Sequence, residues 1–377
     1  MPAPHFQIRR DDLRHCRWVD DISAGQPLQS GQIRLRVDRL ALTANNITYA
    51  ALGEAMGYWQ FFPAADGLGH LPAWGHLPAW GFADVIESRC ADIAVGRRYY
   101  GYFPVAAQVV LQPGAADPGN REERGFLDTS AHRQALNPLY NRYLDTRADP
   151  DYSAADEDQI ALLRPLFLTS FVLDDFLARH DGFAARTAIL SSASSKTAYG
   201  LAALLQQRAA PGWQIVGLTS PRNREFCTAL GVYDRVLSYD DIPTLPRDTA
   251  VYIDMAGDRG VRTALHTHLA DQLKYSCAVG ATHWQQPPKT ASTAGSQLPG
   301  PRAVMFFAPG EIEQRTAEWG LQGFQQRYSA SWQQFLARDK PWLDIWHAHT
   351  TDQISAIYRE LLDGNTPPQR GYIIHPC

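Results

Sequence analysis

Residues 188–204 read AILSSASSKTAYGLAAL, an apolar run that breaks into small hydroxylic residues and then resumes with helical spacing. This is where a phosphate-binding turn would sit between a strand and a helix. A helix N-terminus binds phosphate through exposed backbone N–H groups and the helix dipole. Glycines are usual in such a turn, yet this one has none before Gly200. Ser192, Ser194, Ser195 and Thr197 can expose amides and add hydroxyl donors. Lys196 puts a cation at the positive end of the helix, an unfavourable place unless an anion sits there too. The structural alternative is that Ser194 or Ser195 only caps the helix and Lys196 faces solvent. A P-loop is the weaker alternative: SKT imitates the end of that motif, but both of its glycines are missing, and Asp254 is the one apparent candidate for its acid.

The next apolar run, WQIVGLTS, leads into PRNREF. A site for NAD usually carries Asp or Glu at such a strand tip to hold the ribose hydroxyls. Here the tip offers Ser220, Arg222 and Asn223. A guanidinium and a hydroxyl suit a 2′-phosphate, so the pair of loops reads as an NADPH site.

Those loops need a sheet to hold them. Near-continuous apolar runs at 186–194, 213–220, 250–257 and 275–283, with the shorter DRVLSYD, alternate with helical patterns at 195–208, 222–231 and 260–274. That alternation predicts a doubly wound parallel sheet covered on both faces. The first 110 residues instead show alternating β patterns broken by Gly and Pro, which predicts a small β domain. Residues 112–160 are polar and aromatic and read as an elaborated connection, a candidate pocket cover. Within it, Arg133 and Arg142 are able to hold a substrate carboxylate, with structural ion pairing as the simpler account. HLPAWG occurs twice in succession, at 70–75 and 76–81, which reads as a duplicated surface-loop segment.

Composition excludes other classes. The 377 residues carry 35 basic and 39 acidic side chains, a net charge of −4, so no nucleic-acid surface or polybasic membrane anchor is expected. No apolar stretch is long enough to span a bilayer, and the N-terminus lacks a secretory apolar core. Five scattered cysteines and 12 histidines form no compact ligand motif, and His266 and His268 fall on different helix faces. The expectation is a cytoplasmic protein with reduced thiols, no metal, and a small-molecule partner.

The segments LALTANNITYA, GRRYYGYFPVAAQVV, VGLTSPRNREFCTALGVYDRVLSYD and DGNTPPQRGYIIHP resemble the zinc-independent, quinone-oxidoreductase-like medium-chain dehydrogenase/reductases. NNITYA, FFPA, SSASSKTA, GLTSPRN, VGATH and FFAP are more similar still to a family of bacterial and fungal proteins defined by a domain of unknown function. The resemblance implies a GroES-like β domain with an inserted Rossmann domain. The expected boundaries are 1–160 for the β domain with its connection, 161–310 for the nucleotide-binding domain, and 311–377 for the return to the first domain. The usual A-x-x-G-x-x-G loop is replaced by SSASSKTAYG, and LPAWGFADV stands where zinc-dependent relatives carry Gly-His-Glu.

By the same resemblance, Asn46, Thr48 and Tyr49 lie at the loop facing the nicotinamide, where Tyr49 could donate a proton to a developing enolate. Gly280 and His283, in VGATHW, would lie near the carboxamide. Tyr58, Trp59, Phe61 and Phe62 supply aromatic surface for a pocket or a core. The function expected is NADPH-dependent, zinc-free reduction of an activated alkene, quinone or carbonyl, with room for a homodimer. The alternatives are a non-redox isomerase, lyase or hydrolase using Lys196 or His283 as a base, and a cofactor-binding protein without turnover.

Overall fold

The computed structural model describes residues 4–20, 25–64, 73–114, 125–208, 213–279, 298–339 and 342–376. The chain forms two units. The first comprises Met1–Arg164, Leu343–Thr366 and Arg370–Cys377, and the second Pro165–Trp342 with Pro367–Gln369. The division falls inside a long helix that carries Pro165.

In the first unit, β1 (Pro4–Arg9), β2 (Asp12–Asp20), β3 (Ile33–Leu42) and α1 (Ala44–Ala51) come first. They are followed by β4 (Trp74–His76), β5 (Pro78–Ser88), β6 (Arg98–Pro104) and β7 (Gln108–Leu111). Then come β8 (Gly125–Leu127), β9 (Arg142–Asp145) and α2 (Glu157–Arg179), which runs on into the second unit.

The second unit contains β10 (Thr187–Leu190), α3 (Lys196–Arg208), β11 (Gln214–Thr219), α4 (Arg224–Ala229) and β12 (Arg235–Ser238). It continues with β13 (Ala250–Asp254), α5 (Arg259–Leu269), β14 (Leu273–Ala278), β15 (Val304–Met305) and α6 (Ala308–Asp339). The first unit resumes with β16 (Asp344–Ala348), α7 (Thr351–Leu362) and β17 (Arg370–Ile374).

The first unit holds an eight-stranded sheet ordered β16-β17-β3-β5-β6-β9-β8, with β7 paired to β3, and a three-stranded sheet β2-β1-β4. The final strand therefore finds its partners beside β3 and β16. Within the polar 112–160 segment, β8 and β9 extend the large sheet. The described part of the duplicated hexapeptide, 73–81, is mostly strand where a surface loop was expected. Trp74–His76 pairs with β1, and the second copy opens β5. A Cβ on Gly75 would lie 2.4 Å from the Trp59 ring, and one on Gly81 would lie 2.0 Å from the Arg39 carbonyl oxygen. Each copy thus needs its glycine for a different close approach.

The second unit is built on six parallel strands ordered β12-β11-β10-β13-β14-β15. This is the strand order of a dinucleotide-binding doubly wound sheet, which reverses between its first and fourth strands. That point lies between β10 and β13. β13 is wholly buried, as sequence-wide apolarity requires of a strand covered on both faces. Ile189, Val216, Leu218, Tyr252, Leu265 and Leu273 join in one core cluster. The expected boundary at 311 falls inside α6, which belongs to this unit, and the chain returns to the first unit only at Leu343. Among the described residues no helix is long and apolar enough to cross a membrane.

Candidate functional site

The loop after β10 solves its missing glycines with a strained serine. Ser192 has φ +49°, the left-handed region that glycine normally takes. The turn is pinned by its own amides. Ser191 N–H donates to Ile253 O at 3.1 Å, Ala193 N–H to Leu218 O at 3.0 Å, and Ser195 N–H to Ser192 O at 2.8 Å. Ser192 N–H donates to the Tyr239 hydroxyl at 3.2 Å, a phenol that burial raises to about 12. Those four amides are therefore committed inside the turn, and the cradle expected over the whole loop contracts to the start of α3.

Ser195 caps α3, its Oγ accepting from Ala198 N–H at 3.2 Å. Lys196 and Thr197 open the helix. Lys196 Nζ donates to the Pro368 carbonyl at 3.4 Å, which holds the ammonium beside the helix start. Gly200 keeps a glycine's packing role: a Cβ there would lie 2.9 Å from Ser170 Oγ on α2.

The tip of β11 meets this loop directly. Asn223 Nδ2 donates to Ser194 Oγ at 3.1 Å, joining two of the sequence-predicted residues across neighbouring strand ends. Ser220 Oγ is buried without a hydrogen-bond partner among the described residues, a state that costs free energy unless a ligand or water satisfies it. Arg222 is exposed at the same tip.

The residue that organises the strand ends is one that sequence reasoning weighed only as a P-loop acid. Asp254, fully buried at the end of β13, accepts from Ser191 Oγ at 2.9 Å, Ala256 N–H at 3.1 Å and Gly257 N–H at 2.9 Å. Arg262 on α5 grips its other oxygen with Nε at 2.9 Å and Nη2 at 2.6 Å. The reversal point is thereby tied through a charged side chain whose lone pairs are fully used. An acid ending a wholly apolar strand was the available signal; Arg262, Tyr239 and Ser191 had none.

In the first unit, Tyr49 lies on α1, in a helix and not in a loop. Its hydroxyl accepts from Trp80 Nε1 at 3.1 Å, which leaves its own proton to donate. Tyr58 packs against it tilted and Tyr140 edge-on, with the hydroxyls of those two 3.3 Å apart. Burial raises the pKa of Tyr49, Tyr58 and Tyr140 above the ordinary phenol value, so this cluster is neutral and donates hydrogen bonds. Phe61, Phe62 and Tyr102 share that cluster, whereas Trp59 is buried against Gly53 and Gly75.

Asn46 does not reach outward. Its Oδ1 accepts from Thr43 N–H at 2.7 Å and its Nδ2 donates to Pro78 O at 2.9 Å, so it closes a capping box and fastens α1 to β5. Arg133 takes the structural ion-pairing role, though buried and not on a solvated helix. It is 1% exposed and bonds Phe61 O at 3.0 Å and the Tyr143 hydroxyl at 2.9 Å, with Asp128 3.0 Å away. A guanidinium buried against these partners does not hold a substrate carboxylate. Gly280 and His283 lie outside the described residues. His266 and His268 are held by Pro299, Ser276 and Leu245, as parts of the protein's own packing.

The same architecture occurs in solved structures. CurA from Vibrio vulnificus, in complex with NADPH, is 12% identical with a TM-score of 0.60, covering 95% of this chain and 94% of its own. The yhdH oxidoreductase from Salmonella enterica, in complex with NADP, is 14% identical with a TM-score of 0.53 and 99% coverage of both chains. The mitochondrial 2-enoyl thioester reductase from Candida tropicalis is 8% identical with a TM-score of 0.56 and 100% coverage of both. At these identities the likeness establishes the fold, a GroES-like β domain with a doubly wound parallel-sheet domain. A sequence search among curated proteins finds no match. Residues 40–367 match the family described as "Protein of unknown function (DUF2855)". With most of its length inside that match, the chain belongs to the DUF2855 family.

Proposed function

We propose that the protein is a cytoplasmic NADPH-dependent oxidoreductase that reduces an activated alkene, quinone or carbonyl compound without zinc in its catalysis. The observation that carries this reading is the pairing of two strand ends in the second unit. The turn after β10, shaped by Ser192, is joined by the Ser194–Asn223 bond to a β11 tip bearing Ser220 and Arg222. The residues fit the cofactor. Ser220 Oγ is a buried hydroxyl lacking a partner among the described residues, and residues 220–223 at the tip include no acid to repel a 2′-phosphate. CurA and the yhdH oxidoreductase, which share the fold, are in complex with NADPH and NADP.

Arg222 and Ser220 would hold the 2′-phosphate, and Lys196 and Thr197 at the start of α3 would hold the pyrophosphate. When bound, NADPH supplies a hydride. The chain's own contribution is a proton or a hydrogen bond at a developing enolate or alkoxide. Tyr49 is suited to that task, because Trp80 Nε1 occupies one lone pair of its oxygen and burial keeps the phenol protonated.

The cofactor assignment is tested by calorimetric titration of both nucleotides. Arg222→Ala should weaken NADPH far more than NADH, by about 1.5–3 kcal/mol, the range for hydrogen bonds to charged groups. Lys196→Ala should weaken both about equally. An unchanged preference in Arg222→Ala would remove the 2′-phosphate assignment. A wild type that binds neither nucleotide would remove the redox reading and leave the non-redox alternative.

Tyr49→Phe removes only the hydroxyl. With an enone or quinone that the wild type turns over, kcat should fall about 100-fold, within the usual span for general acid catalysis, while NADPH affinity holds. Unchanged kcat would take Tyr49 out of the mechanism. Binding of NADPH without turnover of any such compound would indicate a cofactor-binding protein.

A further inference from the structure

The edge of the large sheet in the first unit carries three histidines. His347 lies within β16 and His349 two residues further on, so strand alternation places both on one face. β17 runs parallel beside β16, with His347 in register with Ile373. His375 follows the last residue of β17, and its N–H donates to Ala348 O at 2.9 Å. One ring nitrogen from each of the three histidines lies within 4.8 Å of the other two. The rings of His349 and His375 stack with centroids 4.4 Å apart.

Hydrogen bonds decide which nitrogens carry protons. His375 Nδ1 lies 2.8 Å from the Asp38 carbonyl oxygen, which can only accept. That nitrogen therefore holds the proton, and Nε2 presents a lone pair. His347 Nε2 lies 3.1 Å from Asp158 Oδ2, so it donates as well, and in the neutral ring Nδ1 presents a lone pair. Asp158 is itself held by Arg39, whose Nη1 donates to Oδ1 at 3.0 Å. The two lone-pair nitrogens, His347 Nδ1 and His375 Nε2, are 3.0 Å apart. Two acceptors at that distance repel unless an electrophile lies between them. A carboxylate on one ring and a backbone carbonyl on another are the outer contacts that orient histidines toward a metal ion.

We propose that His347, His349 and His375 form a binding site for a divalent first-row transition ion, with Zn2+ as its representative. Three neutral imidazoles suit zinc, copper or nickel and not magnesium or calcium, which prefer oxygen. Zinc–nitrogen bonds of about 2.0–2.1 Å in a tetrahedron separate the nitrogens by roughly 3.3 Å. The His347–His375 pair is near that spacing, and the exposed His349 ring closes the remainder by side-chain rotation. The fourth position faces solvent and takes water. An ion here would fasten edge strand β16 to β17, through ligands from both.

The test uses full-length, tag-free protein freed of metal by chelation and titrated with Zn2+ by calorimetry, with Mg2+ in parallel. One Zn2+ should bind per chain with micromolar or tighter affinity, Mg2+ should not bind, and Tm should rise with Zn2+ and fall back on chelation. His347→Ala and His375→Ala should each weaken Zn2+ about 100-fold, and Asp158→Asn about 10-fold, the scale seen for outer contacts to metal-bearing histidines. His15→Ala should leave binding unchanged. Circular dichroism confirms folding of each variant, and imidazole NMR of the wild type should show shifts at three histidines as Zn2+ is added. Affinity no better than millimolar would overturn the site. So would binding that His347→Ala and His375→Ala leave intact, or a histidine pair that only shares a proton and shows no response to Zn2+.

Discussion

Arg133→Met should destabilise the first unit by about 3–5 kcal/mol, the cost of leaving one partner of a buried ion pair alone. The side chains of Arg133 and Asp128 are 2% and 1% exposed. Asp128 Oδ1 also accepts from Ser130 N–H at 2.9 Å and Ser130 Oγ at 2.7 Å, so the carboxylate is fixed in place and cannot turn to water. Removing the guanidinium also strips a donor from Phe61 O and from the Tyr143 hydroxyl, and it ends the stacking over Phe62 at 4.4 Å. Methionine restores much of the volume, so the loss reports the charge and the hydrogen bonds. Adding Asp128→Asn should recover part of it, because no uncompensated charge then remains buried. Urea unfolding of the single and double variants measures both numbers. A single variant within about 1 kcal/mol of wild type, the range of an exposed pair, would return Arg133 to the list of ligand-facing residues.

Asp254→Asn should cost the second unit about 3 kcal/mol. Asparagine can keep accepting from Ser191, Ala256 and Gly257 through its oxygen, but its amide nitrogen cannot accept the two bonds from Arg262. Arg262 is 26% exposed and recovers some hydration, which places the loss at the low end of the range for a broken buried pair. For a unit of this size that corresponds to a fall in Tm of roughly 6–12 °C. Because Ser191 leans on Asp254, the turn holding Ser192 in its left-handed conformation should loosen with it. NADPH and NADH affinity should then fall together, unlike the selective effect of Arg222→Ala. Scanning calorimetry checks the first expectation, and nucleotide titration the second. Unchanged Tm would mean that the strand ends are held without this pair.

Much of the second unit was legible in the chain. Strands buried on both faces must be apolar throughout, so AVYIDMAG and AILSSAS announce themselves, and the helices between them follow from their spacing. The loop after β10 and the tip of β11 were placed for the same reason: each begins where an apolar run stops. The role of Ser192 could not be read, because a left-handed serine has no local signature beyond the absence of glycine. Its conformation is decided by Ile253, Leu218 and Tyr239, which are remote in the chain.

Charge was the least legible feature. Arg133 looks like any other polar residue in sequence and Asp254 shows only as an acid ending an apolar run, and only folding shows that one is sealed in the first unit and the other ties two strands. The HLPAWG repeat is a similar case, since Trp74 and Gly75 of the first copy pair with β1 whereas Trp80 and Gly81 of the second pair with β6. Local periodicity depends on neighbours within a turn or a strand and is written in the chain. Desolvation, hydrogen-bond partners and the meeting of His347 with His375 depend on residues that only the tertiary fold brings together.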